Sequence, residues 1–156
     1  MNEEMIENWN SCVKPKDIVW HLGDFGFHSV VNDTDKLTSI WYALNGKKNL
    51  LRGNHDTKNP AVERLPWSSI GDYHRLKWEG KRYILSHYPF ASWHGSNKGD
   101  MHFHGHCHGT LKSKMYNRLD VGVDCAVSQF YPVKLEAAVQ YCEWQNDLNG
   151  LKHEIT

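Results

Sequence analysis

Lys48-Asn-Leu-Leu-Arg-Gly-Asn-His-Asp56 is the stretch on which the fold turns. A short apolar run ends at once in a loop of chemically active residues, as strands do in open α/β sheets, where function gathers at strand ends. The same grammar occurs earlier, where Asp17-Ile-Val-Trp-His-Leu22 runs into Gly23-Asp24. Between them Leu37, Ile40, Trp41 and Leu44 recur at i, i+3, i+4 and i+7, so an amphipathic helix is expected over Thr34–Leu44, closed by Asn45-Gly46. Met5, Ile6 and Trp9 predict another helix over Asn2–Cys12, with Glu3 and Glu4 placed to favour its dipole and Pro15 following it.

Downstream the pattern changes. Tyr73–Trp78 and Arg82–Ser86 flank Glu79-Gly80-Lys81 and predict an antiparallel hairpin. Ala91–Asp100 is polar and glycine-containing, a loop in which Trp93, His94 and Lys98 are candidates to line a substrate entrance. Arg118–Val123 reads as a strand. A helix is expected from Pro132 onward, with Leu135, Ala138, Val139 and Cys142 on one face. The reading is one α/β domain over residues 1–156.

Composition narrows the function. Lys and Arg total 18 against 18 Asp and Glu, so no global basic field exists to hold nucleic acid or an anionic membrane. Four cysteines without a C-x-x-C pair suit a reducing compartment, and no apolar run or leader pattern targets a membrane, so a cytoplasmic location is expected. Eleven histidines are many for this length, and they gather where metal chemistry would be.

Four segments carry that chemistry: Gly23-Asp24, Gly53-Asn54-His55-Asp56, Ser86-His87-Tyr88-Pro89 and Gly105-His106-Cys107-His108. A carboxylate, an amide oxygen and several imidazoles make a mixed oxygen and nitrogen ligand set suited to Mn, Fe, Ni or Zn. Two such ions about 3.5–4 Å apart can clamp an in-line displacement at phosphorus. In Met101–His108, histidines stand at 102, 104, 106 and 108, and a continuous strand would put all four on one face. Gly105 is expected to bend the chain, so that only His106 and His108 ligate, with His102 structural, His104 either a support to a metal ligand or a neutral packed group, and Cys107 a buried thiol pointing away from its histidine neighbours. His21, His28, His74, His94 and His153 belong to no motif. Arg52 is open between a substrate phosphate and a carboxylate partner.

In their order, these four motifs resemble the calcineurin-like metallophosphoesterases across roughly residues 16–124. The resemblance implies an α/β sandwich of two facing mixed sheets with helices outside. It also implies metal-dependent hydrolysis of a small phosphomonoester or phosphodiester. Asp24 would bridge two metals, Asn54, His87 and His106 would complete one shell, and His108 would reach the other metal. His55 would act on the leaving group, Asp56 would orient it, and the nucleophile would be a hydroxide shared by the metals.

The family opens with a strand ending in Asp-x-His, and no such segment precedes Gly23-Asp24, so the domain is N-terminally short against that pattern. Asp72-Tyr73-His74 has similar letters but falls in the wrong place and is expected to be a decoy. Asp72, His74, His28 or a partner chain are the alternatives if the first metal is completed otherwise. A lost strand would expose sheet edges and invite pairing, a homodimer among the outcomes. A binding scaffold with impaired catalysis is the rival to the hydrolase reading.

Overall fold

A computed structural model describes residues 3–26 and 33–153. Besides two 3-10 turns, at Asp56–Lys58 and Ser96–Lys98, the elements run α1 (Glu3–Cys12), β1 (Ile18–His21), α2 (Thr34–Ala43), β2 (Lys47–Leu51), α3 (Pro60–Glu63) and β3 (Ser69–Gly71). Then follow β4 (Tyr73–Trp78), β5 (Lys81–Ser86), β6 (Met101–His104), β7 (Arg118–Asp120) and α4 (Leu135–Leu148). The strands form two sheets, β1-β2-β3 and β4-β5-β6-β7, flanked by helices.

In the first sheet both pairings are parallel, with Val19 opposite Lys48 and Leu50 opposite Ile70. The parallel arrangement delivers the C-terminal ends of β1 and β2, and hence the Gly23-Asp24 and Gly53–Asp56 loops, to the same edge of the sheet. Alternation splits β2 between two cores. Leu50 packs with Leu37, Ile40, Trp41 and Leu44 of the α2 region, while Leu51 joins Tyr83, Leu85, Phe103 and Leu119 of the second sheet. Asp33 caps α2 by accepting the Lys36 N–H, and Asn59 caps α3 ahead of Pro60.

The expected hairpin forms between β4 and β5. Its two loop residues, Glu79 and Gly80, have φ of 48° and 75°, the pair of positive values that a two-residue type I′ turn requires. The rest of that sheet is parallel: β5 pairs with β6 and β6 with β7, so this sheet is mixed and the antiparallel reading holds for the hairpin alone. Tyr83, Leu85, Met101 and Phe103 share a core with Ala138 and Cys142 of α4. The alternate residues Ile84, His102 and His104 point the other way and are buried.

Helix α4 begins at Leu135, three residues later than Pro132. Trp93 is a core residue rather than an entrance residue, 7% exposed, its indole N–H donating to the Asp100 carbonyl. His94 and Lys98 are exposed. Among the described residues no helix is long and apolar enough to cross a membrane.

Candidate metal centre

Asp56 builds the floor of the site. It is 1% exposed, and its two oxygens accept three backbone N–H groups: Phe25 at 2.9 Å, Asp24 at 2.6 Å and Gly53 at 2.8 Å. One buried carboxylate thus ties the loop after β1 to the loop after β2. The orienting of the His55 ring that the sequence reading gave to Asp56 is a separate role from this tying of the two loops. The His55 N–H in turn donates to Asp24 Oδ1 at 2.9 Å, fixing the rotamer of Asp24. The loops lie so close that only glycine fits at 53, where a Cβ would stand 2.1 Å from Asp24 Oδ1. At Gly23, with φ of +93°, a Cβ would stand 2.4 Å from His87 Nδ1.

His87 sits at the centre, 2% exposed, at the end of β5. Its Nδ1 lies 2.7 Å from the Leu22 carbonyl, which can only accept, so Nδ1 carries the proton and Nε2 presents its lone pair. That Nε2 lies 3.1 Å from His106 Nδ1, 3.2 Å from Asn54 Oδ1 and 3.4 Å from Asp24 Oδ2. Donors held about 2.1 Å from a common ion stand about 3.0 Å apart at a right angle and about 3.4 Å apart at the tetrahedral angle. The distances therefore fit a shared cation.

Asp24, Asn54, His87 and His106 are thus brought together; His108 is outside this group. Its ring is exposed and its Nδ1 lies 2.7 Å from Asp124 Oδ2, a partner that no motif announced. His106 and His108 have φ of 67° and 50°, so the bend expected at Gly105 is continued by left-handed residues through the turn. His102 is a packed group: Nδ1 lies 3.1 Å from the Ile84 carbonyl and Nε2 accepts the Phe90 N–H at 3.0 Å. Burial pushes its pKa down to about 4 and keeps it neutral. His21, beneath the site against Phe25 and Trp67, also has its pKa lowered, chiefly by burial, and its Nδ1 has no hydrogen-bond partner among the described residues.

The remaining candidates are accounted for locally. Arg52 pairs with Glu63 at 2.5 Å and with Asp72 at 3.1 Å, which resolves its two readings in favour of carboxylates. Asp72 is thereby occupied, and His74 stacks on Trp20 at 3.8 Å between centroids, so the Asp72-Tyr73-His74 triplet contributes nothing to the group. His28 lies outside the described residues.

Over 148 residues the chain is 30% identical to the uncharacterized protein MJ1445 of Methanocaldococcus jannaschii, covering 92% of this chain and 76% of that protein. The chain belongs to the same family as MJ1445. The gene 66 protein of Mycobacterium phage D29 is also 30% identical over 150 residues, covering 77% of this chain and 73% of that protein. Among solved structures, a protein of unknown function from Aquifex aeolicus, AQ665, matches with a TM-score of 0.68 and 26% identity over 88% of this chain and 83% of that one. A looser likeness, TM-score 0.44 and 17% identity over 68% of this chain and 66% of that one, is to a structure described as a novel archaeal phosphodiesterase. No protein-family model matches. The names of this family's members state no activity, so chemistry has to be argued from the site.

Proposed function

We propose that the chain is a metal-dependent phosphoester hydrolase of the calcineurin-like type, with Asp24, Asn54, His87 and His106 holding one divalent cation. The observation that carries this reading is the convergence on His87 Nε2. Three donors of different chemistry lie within 3.4 Å of a lone pair whose direction is fixed by the Leu22 carbonyl. With His106 as the tautomer protonated on Nε2, all four groups present lone pairs, and a cation relieves the repulsion among them.

A cation bound there supplies Lewis acidity toward a phosphoryl oxygen and lowers the pKa of a water it binds. This chain's residues supply the rest. Asp24, whose Oδ1 accepts the His55 N–H, would offer Oδ2 to such a cation. The His55 ring is assigned to give a proton to the leaving-group oxygen as the ester bond breaks. Asp56 is a positioning residue, since it acts through the backbone of both loops. The same reading gives His108 to a second cation shared with Asp24, which requires its ring to turn from Asp124. With 18 basic and 18 acidic residues, a small phosphoester suits the chain better than an extended polyanion.

The test is metal-depleted protein reloaded with Mn, assayed on a generic aryl phosphodiester and phosphomonoester. Asp24→Asn and His87→Ala should each lose bound metal and turnover together. Equal metal content in wild type and His87→Ala would overturn the reading. Tight binding without hydrolysis of either ester would favour the scaffold.

A further inference from the structure

A second donor cluster lies behind the turn that carries His106 and His108. His104, Cys107 and Asp120 bring an imidazole nitrogen, a thiol sulfur and a carboxylate oxygen within 4.8 Å of one another, and none of the three is exposed. They come from different elements: His104 ends β6, Cys107 sits in the turn, and Asp120 ends β7. The register that pairs His104 with Asp120 puts their side chains on one face of the sheet. Cys107 joins them from the back of the turn, while His106 faces His87.

We propose that His104, Cys107 and Asp120 form a separate structural site for a thiophilic divalent cation, zinc by ligand chemistry. The donors are already oriented for it. His104 Nδ1 lies 2.8 Å from the Gly105 carbonyl, so Nδ1 carries the proton and Nε2 has the lone pair, the arrangement of a metal-binding imidazole. Asp120 receives the Gly109 N–H on Oδ2 at 3.0 Å and the Gly122 N–H on Oδ1 at 2.9 Å. Those bonds, with the Cys125 thiol as a third donor, fix the carboxylate, whose four lone pairs leave one for a metal.

A cavity of about 140 Å³ lined by His104, Asp120 and Cys125 opens beside the cluster and gives an ion a path in. Buried Cys125, whose thiol hydrogen-bonds Asp120, is a further soft donor along that wall. Arg118 lines the same cavity, but its N–H groups are directed at the Ser113 and Phe90 carbonyls and at Met115 Sδ. Thiolate and carboxylate together neutralise a divalent ion, so the guanidinium meets no net positive centre. On binding, the Cys107 proton leaves to solvent and sulfur bonds the metal.

The consequence is mechanical. The turn holds His106 and His108 at φ of 67° and 50°, left-handed conformations that are unfavourable for non-glycine residues. A metal on Cys107, between them, would clip that turn to β6 and β7 and hold both imidazoles in place.

Cobalt(II) separates this site from the proposed catalytic one, because Asp24, Asn54, His87 and His106 contain no sulfur. Titration of the reduced, metal-free full chain should give a thiolate-to-cobalt charge-transfer band whose full amplitude accounts for one bound equivalent, with the sulfur-free site taking its own cobalt silently in that band. That band should vanish, with one equivalent of bound cobalt, in Cys107→Ser. It should persist in Asp24→Asn and in Cys12→Ser. No band in wild type, a band surviving Cys107→Ser, or its loss in Asp24→Asn overturns the proposal. Unmodified protein gives an independent readout: zinc should protect Cys107 from iodoacetamide, mapped by mass spectrometry. Unchanged alkylation of Cys107 would also sink the assignment. Failure here leaves the hydrolase reading untouched.

Discussion

At the scale of single residues, the most consequential group is one that binds no metal in our account. Asp56 holds three backbone N–H groups from two loops in a buried setting. Asp56→Asn replaces one acceptor oxygen by an NH₂ facing a donor, so stability should fall by about 3 kcal/mol. Urea unfolding of metal-free protein measures this, and metal affinity should drop with it because the Asp24 loop loses its anchor. His55 is the contrasting case, assigned to the transition state. His55→Ala should retain metal content near the wild-type level while turnover falls about 100-fold; loss of the metal with unchanged turnover per bound ion would refute the assignment.

At the scale of elements, the site is a matter of two loops approaching until no side chain fits between them. Gly53→Ala should therefore destabilise the chain by about 1–3 kcal/mol and abolish the four-donor geometry, since its Cβ would overlap Asp24. Gly80→Ala, in the hairpin turn with φ of +75° and open space around it, should incur only the left-handed penalty of about 1 kcal/mol and leave metal binding intact. Comparing isothermal metal titrations of the two variants tests whether close approach or mere backbone strain matters.

Much of this architecture was legible in the sequence because α2, β2, β4, β5 and α4 carry a strong local period. The three-residue β3 shows too short a pattern to read, and the parallel pairing of β5, β6 and β7 depends on crossovers that no local signal encodes. Strand-end polar residues announced the Asp24, Asn54, His87 and His106 group. Asp120 and Asp124 carried no such mark, because their meaning comes only from what the turn at 105–109 brings beside them.

At the scale of the whole molecule, the buried histidines set a pH limit on the fold. His102 is fully buried between the Ile84 carbonyl and the Phe90 N–H, so its folded pKa is lowered from 6.5 to about 4 by desolvation. Burial also lowers the pKa of His21, His74 and His104. Above pH 6.5 these groups are neutral in both folded and unfolded chains and add no pH dependence. Below it the unfolded chain takes up protons that the folded one refuses, so stability falls as pH drops from about 6.5 toward 4. His102 alone accounts for a loss of about 3 kcal/mol across that window. Urea midpoints of metal-free protein at intervals from pH 7.5 to 4.5 should show the decline. His102→Gln keeps an acceptor for the Phe90 N–H but cannot titrate; it should be less stable than wild type at pH 7.5 and have a shallower slope below 6.5. An unchanged slope would mean that His102 is already protonated in the folded chain, and its placement as a neutral bridge between β5 and the His87–Phe90 segment would be wrong.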